Sequence, residues 1–473
     1  MKKYSRNFRS IILSVVLAGI ISSFFSGCSA TNPESSNETN TTEGIVITMD
    51  NENITAVPQD SPLPTDNPEN TVVQPPVQTP AQTETISENS AKWIDRYKSL
   101  GYDGDRILMS TSEIDSFNNK VSSLSDAVID ILNIPQSMNC SEIAYKIESM
   151  SCPSLPKYDY DDSEISQSKL DEILDNRNLS DLYDGGSVNP RMGIIVQRTA
   201  LRSLPTDTPF FSDPGTQYYD RIQETEVTVG SGVWVLHESK NGAYSFVQTF
   251  NYCGWVASKH IAVTDSYDEW KAFAAPEDFA VVKASLYITK DSYIKLDMGV
   301  KLPIAERSLA GYKVKLPGRN SDGSLYYDYI TLGGDIACYG YMPFTVNNFY
   351  IQAFKYEGAT YGWGGLYDSV DCSGFVSAVM RVFGFELPRN VSQQRNTVGE
   401  IIDFEGTGKE NIESVLDGIN VPAAVYKPGH VMLYLGKFDG AYYVIHSPEG
   451  GRVVCEEILG TSATNLMSIN KFC

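Results

Sequence analysis

The spacing of apolar residues changes along this chain, and no single packing scheme accommodates every regime. From Ala91 to about Pro190, "WIDRYKSLGYDGDRIL", "EIDSFNNKVSSLSDAVIDIL" and "SQSKLDEILDNR" place apolar side chains three and four residues apart, the period of amphipathic helices. Near Met192 the period drops to two. "GIIVQRTALRSLP", "VWVLHES", "AYSFVQTF" and "CGWVASKHIAV" read as short strands broken by turn residues such as "SKNG". A second strand-rich stretch over 266–345 follows, with "EDFAVVKASLYI", "IKLDMGVKLPIAE" and "SLYYDYITL". After Val346 a helical opening, "NNFYIQAFKYEGA", leads through a glycine loop into a second helix and then two strands, "HVMLYLG" and "AYYVIHS". These regimes describe an α+β multidomain chain: a helical region over 91–190, small β-barrels over 191–265 and 266–345, and an α+β domain over 346–473. A length of 473 residues leaves room for several domains of ordinary size.

Residues 1–90 belong to none of these regimes. Lys2, Lys3, Arg6 and Arg9 precede an apolar run from Ile11 to Ile21, and Phe25-Ser26-Gly27-Cys28 closes it with small residues before a cysteine. That is a secretory signal over 1–28. Its ending resembles the lipobox of bacterial lipoproteins, with Phe25 where Leu is usual, and would make Cys28 the lipid-bearing first residue of the mature chain. A plain signal peptide and an uncleaved anchor are the alternatives; all three place the rest of the chain outside the cytoplasm. Residues 29–90, rich in Asn, Thr, Ser, Pro, Glu and Gln, have too little apolar surface to offset their ordering entropy and read as an extended tether. The expectation is a monomer held at the membrane by Cys28 and facing the cell wall.

A formal net charge of -22 argues against nucleic acid, whose binding needs basic surface to release counterions. An acidic solvated surface accounts for it, and an acidic pocket for a substrate ammonium is compatible with it. Apart from Cys28 the cysteines are Cys140, Cys152, Cys253, Cys338, Cys372, Cys455 and Cys473, an odd number, so at least one thiol stands outside any disulfide framework. No C-x-x-C or Cys/His cluster has zinc spacing, and neither metal nor cofactor is expected.

Cys372 sits at the mouth of a helix. Asp371 can cap it, Phe375, Val376, Val379, Val382 and Phe383 form one apolar face, and Gly384 can end it. A helix N-terminus lowers a thiol pKa, yet a small apolar thiol at the end of an apolar face is as often core filler. Two of the chain's four histidines shift that balance, because His430 opens one late strand and His446 closes its neighbour. If Gly436 to Gly440 forms a five-residue loop, the two stand directly opposite on one face, whereas a two- or four-residue loop puts them on opposite faces. Their roles would be base and acid for His430 and orienting partner for His446. Ahead of the helix, in "ATYGWGGLYDSVDCSGF", Gly362, Gly364 and Gly365 permit close approach of backbone to a ligand, and the Tyr361 hydroxyl could join the Cys372 N–H at an oxyanion. Arg389, Ser392, Gln393 and Gln394 in "ELPRNVSQQ" line the groove or form a polar loop. His237 and His260, without acidic or Cys neighbours, read as structural.

"YGWGG", "DCSGFV", "LPRNVSQQ", "HVMLYLG" and a later "IH" occur here in the order they take in NlpC-type cysteine peptidases of peptidoglycan, which residues 346–473 resemble. "RTALRSLP", "GSGVWVLHESKNGAYSFVQTFNYCGWV" and "HIAV" resemble a bacterial SH3 domain, which extends the likeness to a multidomain subgroup of γ-D-glutamyl-L-diamino-acid endopeptidases of the dipeptidyl-peptidase VI kind. The resemblance implies a papain-like fold, hydrolysis of the γ-D-glutamyl to diamino-acid bond of stem peptides or muropeptide fragments, and a Cys372, His430 and His446 triad. It also implies Tyr361 at the oxyanion and Asp371 and Ser373 near the substrate's amine or amides. The first barrel would wall off the cleft and restrict it to peptides with a free N-terminus, with Tyr252 of "NYCGW" reaching the site. The chain departs from the pattern in two places: "KPGH" runs directly into His430, and Val391 stands where a hydroxyl residue is frequent. The rival readings are a non-catalytic wall-binding protein using its SH3-like domains, and an amidase or acyltransferase on the same fold.

Overall fold

The computed structural model describes residues 86–419, 421–459 and 465–473, so the signal segment, Cys28 and most of the expected tether lie outside the described residues. The first described helix, Glu88–Ser99, is capped by Ser87, whose side chain accepts from the Ser90 N–H. Thr111–Leu124 starts with a full capping box between Ser110 and Glu113. Neither helix builds a core of its own. Trp93 and Ile114 are buried in the core of the last domain, while Ile143 and Ile147 of the helix Cys140–Glu148 are buried with the first barrel. Leu170 and Ile173 of Gln167–Asp175 pack on Leu204, Phe210 and Ile222 at the barrel's loops. The helical region is therefore shared between its neighbours, an arrangement its short amphipathic stripes permit. Among the described residues no helix is long and apolar enough to cross a membrane.

The first barrel is a seven-stranded antiparallel sheet, in the order Gln223–Val227, Thr199–Arg202, Cys253–Ala257, Tyr244–Gln248, Gly232–Glu238, Arg191–Ile195 and Ile261–Thr264. Alternation supplies its interior from Leu201, Val233, Val235, Val247 and Val256. Both barrel histidines are structural: His237 Nε2 meets the Arg177 and Asn178 carbonyls, and His260 Nδ1 lies 2.7 Å from Thr199 Oγ1. The next segment opens with a helix, Tyr267–Ala274, which the strand-rich pattern did not announce. Its Trp270 and Phe273 are buried against the first barrel, and the Trp270 indole N–H donates to the Gly193 carbonyl at 2.9 Å. Beyond it lies a five-stranded sheet, ordered Leu325–Leu332, Gly311–Arg319, Lys301–Ser308, Phe279–Val282 and Ala337–Tyr339, with a separate hairpin of Leu286–Ile288 and Lys295–Asp297.

The last domain has the papain-like α+β plan. Helices Val346–Phe354 and Cys372–Arg381 pack on a six-stranded antiparallel sheet, ordered Glu400–Asp403, Ser468–Lys471, Ala423–Lys427, His430–Phe438, Ala441–His446 and Val454–Glu457. Phe375, Val376 and Val379 are fully buried, as are Val431, Leu433 and Ile445 of the sheet beneath them. This packing presses the mouth of the Cys372 helix against the start of the His430 strand. Cys140, Cys152, Cys253, Cys372, Cys455 and Cys473 are free thiols.

Trp93 ties the first helix to this domain, with ring centroids 5.8 Å from Tyr350, 5.9 Å from Phe438 and 5.6 Å from Tyr443. Trp93→Ala should lower the unfolding free energy by about 3–5 kcal/mol in urea titrations, and Trp93→Phe by less than half of that.

Candidate active site

Asp371 caps the Cys372 helix and ties it to the glycine loop and to Arg389. One carboxylate oxygen accepts from the Gly374 N–H at 2.8 Å, and the other from the Gly364 N–H at 3.0 Å and the Arg389 guanidinium at 2.5 Å. Arg389 also donates to Ser373 Oγ at 2.8 Å and, across the domain boundary, to Thr225 Oγ1 of the barrel at 2.6 Å. Burial by itself would raise the Asp371 pKa, but the Arg389 charge and these donors hold it below the usual carboxylate range. Sequence reasoning assigns Asp371, Ser373 and Arg389 to the substrate. The structure lines the cavity with them but spends most of their polar atoms on one another, so Arg389 is a lock and not a free groove residue.

The glycines of "YGWGG" also serve the seam. Gly364 and Gly365 have φ of +54° and +84°, and a Cβ on them would fall 2.8 Å from Gln223 and 2.5 Å from Glu226 of the barrel. The Trp363 indole donates to the Gln223 carbonyl at 2.9 Å, and the Gln223 amide donates to the Gly364 carbonyl at 2.8 Å. The backbone that these glycines admit is therefore apposed to the barrel strand, where a ligand had been expected.

Cys372 opens its helix with only 7% of its surface exposed. It shares a cavity of about 310 Å³ with Tyr361, His430 and His446. The two histidines meet by a route that loop length alone does not give. The hairpin turn is two residues, Asp439-Gly440, closing on the pair Phe438 and Ala441, and not the five-residue loop anticipated. That turn by itself would put the histidines on opposite faces. A bulge between Tyr434 and Gly436 inserts one residue and reverses the parity, so both project from one face, offset along it rather than directly opposed. His430 Nε2 then lies 2.7 Å from His446 Nδ1, with the rings edge-on at 77°.

Burial, with His446 and Lys427 nearby, brings the His430 pKa down to about 3. Burial and the Asp371 carboxylate push the Cys372 thiol up to about 12, against the expectation that the helix terminus would lower it. Those two effects outweigh the helix's partial charge. These shifts leave the Cys372 thiol and the His430 imidazole, which line one cavity, both uncharged near neutral pH.

Tyr361 is 6% exposed and burial raises its pKa, so its hydroxyl keeps its proton and can donate. Ser392 is exposed on the helix Val391–Thr397 and is not among the cavity residues; Asn390 and Val391 form that wall instead. Tyr252 reaches the site indirectly. Its hydroxyl donates at 2.6 Å to Glu224, a barrel residue that lines the cavity and that sequence reasoning missed. Glu224 also accepts from Ser151 Oγ at 2.6 Å, and Glu449 closes another part of the wall. An exposed-looking Glu in the strand "QETEV" carries no local mark of function; only the barrel's docking reveals it. His446 makes a second contact sequence reasoning missed, with Glu456. Among the described residues no group of three or more His, Cys, Asp or Glu side chains is arranged to hold a metal ion.

Residues 358–468 match the NlpC/P60 family, and residues 209–257 match an SH3 domain of the SH3b1 type. No curated protein matches the chain. An NlpC/P60 endopeptidase from Photobacterium damselae subsp. piscicida superimposes with a TM-score of 0.64 at 18% identity, covering 83% of this chain and 98% of that one. An NlpC/P60 family protein from Bacillus cereus aligns at 18% identity and a TM-score of 0.44, covering 59% of this chain and 99% of that one. The chain thus carries an SH3b domain followed by an NlpC/P60 domain, and that last domain is a cysteine endopeptidase domain.

Because both site groups are neutral at rest, alkylation of Cys372 by iodoacetamide should climb about tenfold per pH unit between roughly pH 6 and 9. A rate plateau extending below about pH 5 would instead reveal a preformed thiolate and imidazolium.

Proposed function

We propose that this cysteine endopeptidase hydrolyses the γ-D-glutamyl to diamino-acid bond of peptidoglycan stem peptides that have a free N-terminus. The observation that carries the reading is the pairing of the cavity containing Cys372, His430 and His446 with a barrel carboxylate, Glu224, fixed by Tyr252. A carboxylate in the cavity wall suits a substrate ammonium. An amidase or acyltransferase acting on lipid would want an apolar channel, and the lining here includes Glu224, Asp371, Lys427 and Glu449.

In this mechanism His430 takes the Cys372 proton as the sulfur attacks the γ-carbonyl carbon. Proton transfer accompanies attack, since neither group is charged beforehand. The Tyr361 hydroxyl and the Cys372 N–H stabilise the oxyanion. The His430 imidazolium then protonates the leaving amine and a thioester remains. Water, deprotonated by His430, attacks that thioester, releases the glutamyl γ-carboxylate and returns the proton to the thiol. His446 orients His430 throughout.

Export by the signal over 1–28, a lipid on Cys28 and the tether over 29–90 would put this chemistry outside the cytoplasm, within reach of wall peptides from the membrane surface. The SH3b domain then shapes the cleft instead of only adhering to the wall.

Incubation with defined muropeptides and identification of products by mass spectrometry should show cleavage after γ-D-glutamate, abolished in Cys372→Ala. Peptides with an acetylated N-terminus should be cut roughly 30-fold more slowly or worse, as expected for losing a charge-assisted hydrogen bond of about 2 kcal/mol, and Glu224→Gln should erase most of that discrimination. Intact γ-glutamyl bonds under reducing conditions across several pH values would overturn the substrate, and cleavage surviving Cys372→Ala would overturn the nucleophile.

A further inference from the structure

Behind the cavity, two imidazoles in series end on a carboxylate. His430 Nε2 lies 2.7 Å from His446 Nδ1, and His446 Nε2 lies 2.9 Å from Glu456 Oε1. Glu456 stands on the edge strand Val454–Glu457, paired with Val444 two residues before His446. The His446 side chain is 3% exposed, whereas that of Glu456 is 53% exposed, so the chain runs from the buried site to the surface.

The protons along this chain are determined by what each atom can do. An ionised carboxylate only accepts, so His446 Nε2 must carry a hydrogen. Burial keeps His446 neutral, and a neutral imidazole protonated at Nε2 has a bare Nδ1. The hydrogen between the rings must therefore belong to His430 Nε2. His430 is neutral as well, which leaves Nδ1 as its one basic atom. That atom is the one available to receive the thiol proton of Cys372 in the shared cavity.

We propose that Glu456 is a positioning residue that, acting through His446, fixes the tautomer of His430 and stabilises the imidazolium formed when His430 takes the thiol proton. The proposal rests on the assignment of Cys372 and His430 as nucleophile and base. Without the Glu456 acceptor, His446 can carry its hydrogen on Nδ1 and donate it to His430 Nε2. His430 would then hold its own hydrogen on Nδ1 and could not act as base toward the sulfur. The carboxylate also adds a charge effect, because it faces the pair together with Lys427, which disfavours the imidazolium, and Asp371, which favours it.

The two contributions separate in Glu456→Gln, which keeps an oxygen acceptor and loses the charge, and Glu456→Ala, which loses both. Only four histidines occur in the chain, so imidazole ¹⁵N and ¹H resonances are assignable in the whole protein. The wild type and Glu456→Gln should show His446 and His430 each protonated at Nε2, and Glu456→Ala should show His446 losing that single tautomer. With a cleaved muropeptide, Glu456→Ala should lower kcat about 100-fold with KM unchanged, and Glu456→Gln should recover a large part of it. Unchanged imidazole tautomers in Glu456→Ala, or a kcat within threefold of wild type, would overturn the proposal. The nitrogen spectra need no substrate, so they decide the tautomers even if no stem peptide is cleaved.

Discussion

The arginine of the active-site floor governs how the remaining parts can be arranged. Withdrawing Arg389 and Asp371 from water costs several kcal/mol per ion, and only good geometry with further hydrogen bonds offsets it. Here Asp371 accepts from two backbone N–H groups and the guanidinium, and Arg389 spends its other nitrogens on Ser373 and Thr225. Thr225 belongs to the barrel. The cap of the Cys372 helix, the glycine loop before it and the barrel strand thus share one buried polar network. The consequence is that the site is a property of the seam between two domains and not of the last domain alone.

That dependence explains which parts were legible from residues in order. The Cys372 helix was, because its cap, its apolar face and its terminating glycine are local. The coming together of His430 and His446 was legible as a pairing but not as a register, since one extra residue at the bulge before Gly436 decides the face and leaves no compositional mark. The barrel's period-two strands were clear, whereas the helix Tyr267–Ala274 was hidden by its brevity within strand-rich surroundings.

What escaped sequence reading was what depends on tertiary contacts, within a domain or across the seam. The "YGWGG" glycines look like a ligand loop by themselves; next to Gln223 and Glu226 they are a docking surface. Arg389 looks like a groove residue until its partners are seen. Glu224 and Glu456 have ordinary strand neighbours, and their significance comes from distant groups, Tyr252 and His446. The thiol's environment belongs to the same class. A helix terminus and the adjacent Asp371 are visible in sequence, but the burial that contributes most to overriding the terminus is a tertiary quantity.

The division of the first helices between two cores also sets a mechanical order. A pull on the chain ahead of Glu88 enters through Trp93 and the Arg96 guanidinium, which donates to the Lys437 carbonyl and stacks on Phe438, and so loads the peptidase sheet before the first barrel. Cys140–Glu148 takes up strain only after that clasp has given way. A protein stretched from its leading end would therefore feel the force first at the hairpin that carries both histidines, which makes the helix Glu88–Ser99 the joint through which tension reaches the site.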